Sequence, residues 1–213
     1  GTIAGMTAQP ARSWAGTTLA DRQSERRSRL LDAGLELLGT QGGAAVTVRS
    51  VCRLSRLTDR YFYENFADRE ALLLAVFDRV ANEAGAALLA AVAGAPADLA
   101  ARSRAAVEAF LGVLTDDPRK GRVLLLEPLT DATLGMRGIA LSPMFAELVR
   151  AQLGPQHGAH RTNARGAQLT ATALIGALAN LFIRWLDGTL DLDRAELTDY
   201  CVRLLVTATD LAR

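Results

Sequence analysis

Residues 47–66 read TVRSVCRLSRLTDRYFYENF. Thr47 can cap a short helix running to Leu54, with Val48, Val51 and Cys52 turned inward. Ser55, Arg56 and Leu57 make a turn. Thr58 can then cap a further short helix carrying Asp59 to about Phe66, with Phe62 and Phe66 on the inward face and Tyr61 and Tyr63 outside. Two helices of roughly two turns, joined by about three residues, describe a helix-turn-helix.

On the N-terminal side, Leu30, Leu31, Gly34, Leu35, Leu37 and Leu38 repeat with helical period, and Gly42 and Gly43 end that helix. Thr18 and Asp21 have capping-box-like spacing at its start. On the C-terminal side, Asp68 caps a long helix striped by Leu73, Phe77, Val80, Ala84, Leu88 and Ala91. Pro96 interrupts and Asp98 restarts. Asp117 followed by Pro118 reads as a cap with proline at the first helical position, and Pro128 ends the helix that follows. Residues 131–153 resume helical spacing around Pro143, where a kink or a split is expected. A loop over Gly154–His160 leads to helices at about Thr162–Leu186 and Arg194–Leu211. No β pattern appears, so the expectation is an all-α fold of about nine helices. It divides into an N-terminal arm at 1–17, a helix-turn-helix domain at 18–67 and a helical domain at 68–213. Gly1–Gly5 precede Met6, the expected natural start, and are set aside.

The composition suits a globular chain: 213 residues, 50% hydrophobic and 22% charged. The apolar stretches Ala84–Pro96 and Ala171–Ile183 are rich in Ala and Gly and fall short of about 18 strongly apolar residues. With no apolar run after the N-terminal arginines, neither a membrane span nor a secretory signal is expected, and the location expected is cytoplasmic. Cys52 and Cys201 lie far apart and outside any CxxC spacing, which reads as two buried thiols. The net charge of +1 is unevenly shared. Residues 1–69 hold ten Arg against seven Asp and Glu, while residues 70–213 hold fourteen basic groups against sixteen acidic ones. A basic head on an acidic body is compatible with nucleic-acid binding at one end.

The stretch from Thr47 to Phe66, continued by ADREALLLAV and preceded by RRSRLLDAGLELLGTQGG, resembles the DNA-binding domain of the TetR family, the tetracycline-repressor-like regulators. The resemblance implies an operator of double-stranded DNA and a set of contacts. Thr47 would meet a phosphate at the start of the second helix, with Arg49 within its first turn. Thr58, Asp59, Arg60 and Tyr61 would occupy the exposed start of the recognition helix, the part that approaches base edges. Tyr63 would be the phosphate-contacting tyrosine, and Arg69 the basic residue opening the fourth helix. Arg56 departs from the family pattern, standing where the turn glycine is usual, at a strain cost of order 1 kcal/mol. Asp59 is unusual beside phosphates and can accept from a cytosine amino group or pair with a neighbouring arginine. Arg26, Arg27 and Arg29 either track the DNA or form a solvated face. Trp14 sits in an ordered arm or a loose tail.

The resemblance further implies a small-molecule cavity in the second domain whose occupancy resets the spacing of two recognition helices. Phe110, Leu114, Arg122, Leu125, Glu127, Met144, Phe145, Phe182 and Trp185 are large or polar side chains on apolar helical faces and form the expected pocket, suited to a largely apolar effector. Arg122 and Glu127, if buried, need partners in each other, in Asp131 or in a ligand. The penultimate helix mixes Ala171, Ala173, Gly176, Ala177 and Ala179 with larger apolar residues over most of its circumference. With the last helix it suggests the four-helix seam of a homodimer. No nucleophile elbow, dinucleotide fingerprint, phosphate loop or HExxH occurs, and the spacing of His157 and His160 lies in a Gly- and Pro-containing loop. The function expected is therefore a ligand-responsive repressor that is not an enzyme and needs no cofactor or metal. The rivals are a helical carrier or enzyme that keeps the helix-turn-helix as packing, and an activator or adaptor.

Overall fold

The structure, a computed structural model, describes residues 19–152 and 164–208. Among them are nine α-helices and no strand: α1 (Leu19–Gln41), α2 (Val48–Ser55), α3 (Asp59–Asn65), α4 (Arg69–Gly94), α5 (Leu99–Asp116), α6 (Pro118–Gly121), α7 (Ala132–Gln152), α8 (Ala164–Leu186) and α9 (Arg194–Thr207). A π turn at Arg122–Leu126 and a 3-10 turn at Glu127–Leu129 join α6 to α7. Thr18, Trp14, the Gly154–His160 loop with both histidines, and Leu211 lie outside the described residues.

The helix starts follow short-range chemistry. Thr47 and Ser50 form a capping box in which the Thr47 hydroxyl accepts from the Ser50 N–H at 3.0 Å and the Ser50 hydroxyl accepts from the Thr47 N–H at 2.9 Å. Asp68 accepts from Ala71 N–H at 2.7 Å, Asp98 from Ala101 N–H at 2.8 Å and Asp193 from Glu196 N–H at 2.8 Å. Thr58 departs from expectation. It holds the cap position of α3, but its side chain makes no capping bond, and only its carbonyl serves the helix, accepting from Tyr61 and Phe62. Of the kink or split expected at Pro143, the split does not occur, since α7 runs through that residue as one helix. Pro143 and Ile139, whose carbonyl loses its partner there, are both exposed, so water can take the freed group.

Arg56 takes the left-handed conformation at φ 54°, ψ 41°, so the turn keeps the geometry a glycine would give it. The side chain carries a cost of about 1–2 kcal/mol there. Part of that is recovered because arginine restricts the unfolded chain more than glycine does. Arg56→Gly is therefore expected to stabilise the protein by about 0.5–1 kcal/mol, read as a raised urea midpoint at unchanged slope.

One hydrophobic core runs the length of the molecule, from Leu30, Leu38 and Phe62 through Phe77 and Leu111 to Leu197 and Leu205. α4, 26 residues and hence about 39 Å long, belongs to both ends of it. α6 ties the C-terminal helices back to α1. Arg119 donates to Glu36 at 2.6 Å and to Asp117 at 2.7 and 2.8 Å, and its donation holds the Asp117 carboxyl below the usual range. Gly39 allows this crossing, since a Cβ there would lie 2.4 Å from Arg119 Cβ.

The helix containing Ala171–Ile183 is longer than the apolar stretch suggested. Arg165–Leu186 is long and apolar enough to cross a membrane by length and composition, yet only 28% of its most apolar stretch is buried. Its uncovered side carries Leu169, Ala173, Gly176 and Asn180 at helical spacing, and no atom lies within 4 Å of a Cβ placed on Gly176.

Candidate nucleic-acid interface and effector cavity

α2, the left-handed turn and α3 present Thr47, Arg49, Thr58, Asp59, Arg60 and Tyr63 to solvent. Tyr63 is 59% exposed, braced by an edge-to-face contact with buried Phe62 at 5.4 Å. Arg60 projects with its side chain 84% exposed and is held by Glu64 at 3.0 Å, a surface pair that costs little to open. The Thr47 hydroxyl is occupied within its capping box, so the free donors at that helix start are backbone N–H groups. Burial, followed by a hydrogen bond to the Asp59 carboxylate, pushes the Cys52 thiol up to about 11.

Two expected contacts are used differently. Tyr61 is half-buried beneath the Arg26 guanidinium, 4.7 Å from the ring centre, rather than standing free. Arg69 donates to the carbonyls of Val46 and Gly43, both at 2.6 Å, and so clamps the chain between α1 and α2. Of the α1 arginines, Arg26 is half-buried and Arg27 and Arg29 are exposed, yet all three are tied to the helix-turn-helix. Arg27 covers Phe66 at 4.4 Å and donates to the Asn65 carbonyl at 3.0 Å, while Arg29 donates to the Ser55 carbonyl. They hold the recognition helix from behind.

The second feature is a cavity of about 540 Å³ between α4, α5, α7 and α8, floored by the π turn. Phe110, Leu125, Phe145 and Phe182 line it, with Phe110 packed on Phe182 at 5.2 Å and on Phe145 at 6.4 Å. The remaining expected pocket residues lie elsewhere. Leu114 is fully buried in the core, beside Gly121. Met144 is on the more exposed face of α7. The Trp185 indole donates to the Leu192 carbonyl at 2.9 Å, at the α8–α9 corner.

Arg122 and Glu127 pair at 2.8 Å, as their need for partners required, but away from the cavity. Glu127 is 4% exposed and accepts from the Gly43 N–H at 2.9 Å. At Gly42, φ is +84°, and a Cβ would lie 3.2 Å from the Arg122 guanidinium. The carboxylate therefore holds the α1–α2 turn, while Leu124, Leu125, Pro128 and Leu129 around it line the cavity. Sequence reasoning missed Arg102 and Ser103 on the cavity wall. The signal was present, because Arg102 interrupts the apolar α5 face of Leu99, Ala106 and Phe110.

A helix-turn-helix joined to a helical body that encloses an apolar cavity defines a DNA-binding transcriptional regulator. Residues 30–76 match the model of the bacterial regulatory proteins of the tetR family, so that this stretch is a TetR-type helix-turn-helix domain. No curated protein matches it in sequence. Among solved structures, the fatty acid degradation regulator FadR of Bacillus halodurans is similar with a TM-score of 0.68 at 16% identity, over 85% of this chain and 94% of its own. FadR of Bacillus subtilis in complex with stearoyl-CoA matches with a TM-score of 0.68 at 16% identity, over 85% and 98%. A tetR-family transcriptional regulator of Streptomyces coelicolor reaches 0.69 at 16% identity, over 89% and 82%. At these identities the likeness is one of fold.

Proposed function

We propose that the protein is a homodimeric repressor that binds a pseudo-palindromic operator and is released from it by a small, largely apolar molecule. On this reading the chain divides into an N-terminal arm at 1–17, the DNA-facing domain at 18–67 and the effector and dimerisation domain at 68–213. The observation that carries the reading is Glu127. One residue grips the turn that leads into α2, while its neighbours wall the cavity. A ligand that displaces the π turn thus bears directly on the helix-turn-helix. It shifts the equilibrium only by its differential affinity for the DNA-incompetent arrangement. π turns recur at functional sites because their extra residue loosens the helical ladder. The Bacillus subtilis regulator of similar fold takes stearoyl-CoA, a ligand with a long hydrocarbon chain, which supports a hydrocarbon-bearing effector here.

On this reading a second copy covers α8, laying its own small-residue stripe against Ala173 and Gly176, with Tyr200 of α9 at the margin. That contact also accounts for a helix too apolar to stand free. The two recognition helices would then address half-sites one helical turn of about 34 Å, or a multiple of it, apart. The test is light scattering together with fluorescence anisotropy on DNA from upstream of the protein's own gene. Gly176→Arg is expected to convert dimer to monomer and to weaken operator binding by about a hundredfold or more, because the second half-site no longer binds as an intramolecular event. A monomeric native chain, or operator affinity unchanged in the variant, refutes the reading.

A further inference from the structure

Among the described residues, the side chains of the cavity wall are hydrocarbon except at Arg102 and Ser103 on α5 and Ser142 on α7. Of these three, Arg102 alone carries a charge. Arg102 Nε is buried and has no hydrogen-bond partner, and no carboxylate of the described residues lies within ion-pair distance of its guanidinium. The nearby acids are engaged elsewhere. Asp98 caps α5 through Ala101 N–H, while Asp199 and Glu108 pair with Arg104. Arg102 as a whole is half-buried, so its outer nitrogens can meet water, but a buried Nε–H without an acceptor is unfavourable, and a ligand carboxylate can supply one.

We infer that the effector is an apolar monocarboxylate. Its hydrocarbon fills the space between Phe110, Phe145 and Phe182, and its carboxylate accepts from the Arg102 guanidinium, with the Ser103 hydroxyl beside it as a further donor. This rests on the reading of the cavity as the effector site and adds the chemical class. The charge of Arg102 selects against cationic amphiphiles, and the dry wall selects against polar sugars or nucleotides.

The experiment is titration calorimetry on the full chain with laurate, methyl laurate, lauryl alcohol, laurylamine and lauroyl-CoA. Laurate is expected to bind about tenfold or more tighter than the ester and the alcohol, since a hydrogen bond to a charged partner is worth that factor. Laurylamine is expected to bind weakest. Arg102→Gln should erase the laurate advantage and leave alcohol affinity unchanged. The comparison of acid with ester on the unaltered chain stands even if that variant does not fold. Equal binding of acid, ester and alcohol, or tighter binding of lauroyl-CoA than of laurate, overturns the inference and leaves an apolar effector cavity in place. Binding of none of the five overturns both.

Discussion

Glu127→Gln is expected to leave the protein folded and able to bind its operator, yet deaf to whatever occupies the cavity. The two carboxylate oxygens of Glu127 are divided between Arg122 at 2.8 Å and the Gly43 N–H at 2.9 Å. Glutamine keeps one acceptor and turns the other position into a donor, so one contact must be given up. Holding Arg122 would release Gly43, and holding Gly43 would set an amide N–H against a guanidinium. Either choice costs about 1–3 kcal/mol, the penalty for an unmet buried partner. Glu127→Ala loses both contacts and sits at the upper end, although Arg122, with its side chain 42% exposed, can turn to water. The functional effect is larger in kind. With the link cut, the ratio of operator affinities without and with a saturating cavity ligand should fall from the 5–150-fold typical of allosteric coupling to about one. Amide hydrogen exchange at Gly43 reports the local loosening, and anisotropy with and without laurate reports the coupling. An intact ligand response in Glu127→Gln would show that the signal travels by another route, such as the Arg119–Glu36 bridge.

The helix-turn-helix was legible because everything that defines it is short-range. The Thr47–Ser50 box, the left-handed Arg56 and the inward Phe62 and Phe66 are decided by residues within a few positions of one another. The caps at Asp68, Asp98 and Asp117 were readable for the same reason. What stayed hidden depends on which helices cross. Arg69 looked like a phosphate contact by its position, but the carbonyls of Val46 and Gly43 come within its reach only when α4 packs against the turn. Arg26 and Arg27 fall on the rings of Tyr61 and Phe66 through the angle between α1 and α3. Glu127 finds Gly43 across 84 positions of sequence, which no periodicity encodes. Of the large apolar residues gathered as a pocket set, Phe110, Leu125, Phe145 and Phe182 line the cavity while Leu114, Met144 and Trp185 do not, because helical spacing alone could not say which wall each belonged to. Leu114 and Phe110 lie one turn apart on α5, one wholly in the core and one on the cavity.

These differences change what substitutions on the DNA face should do. Arg60→Ala is expected to lower operator affinity by about 1–3 kcal/mol and to relax preference at one base pair, because Arg60 projects freely from the first turn of α3 and only an exposed pair with Glu64 must open. Tyr63→Phe removes a hydroxyl from an exposed ring that stays braced on Phe62. It should weaken all sequences alike, with little change in salt dependence, since the lost phosphate contact is uncharged. Arg49→Ala, by contrast, should reduce the slope of log affinity against log salt by about 0.9, the signature of one phosphate no longer neutralised. Arg69→Ala belongs to a different class. It strips a charged donor from two carbonyls of the α1–α2 connection, so the expected result is a lower melting temperature, with any loss of binding tracking the loss of fold. Anisotropy titrations at several salt concentrations, paired with thermal melts of each variant, separate the four behaviours. If Arg60→Ala left binding to every sequence unchanged while Arg69→Ala shifted the salt slope without touching stability, the surface presented by α2 and α3 would not be the one that meets DNA.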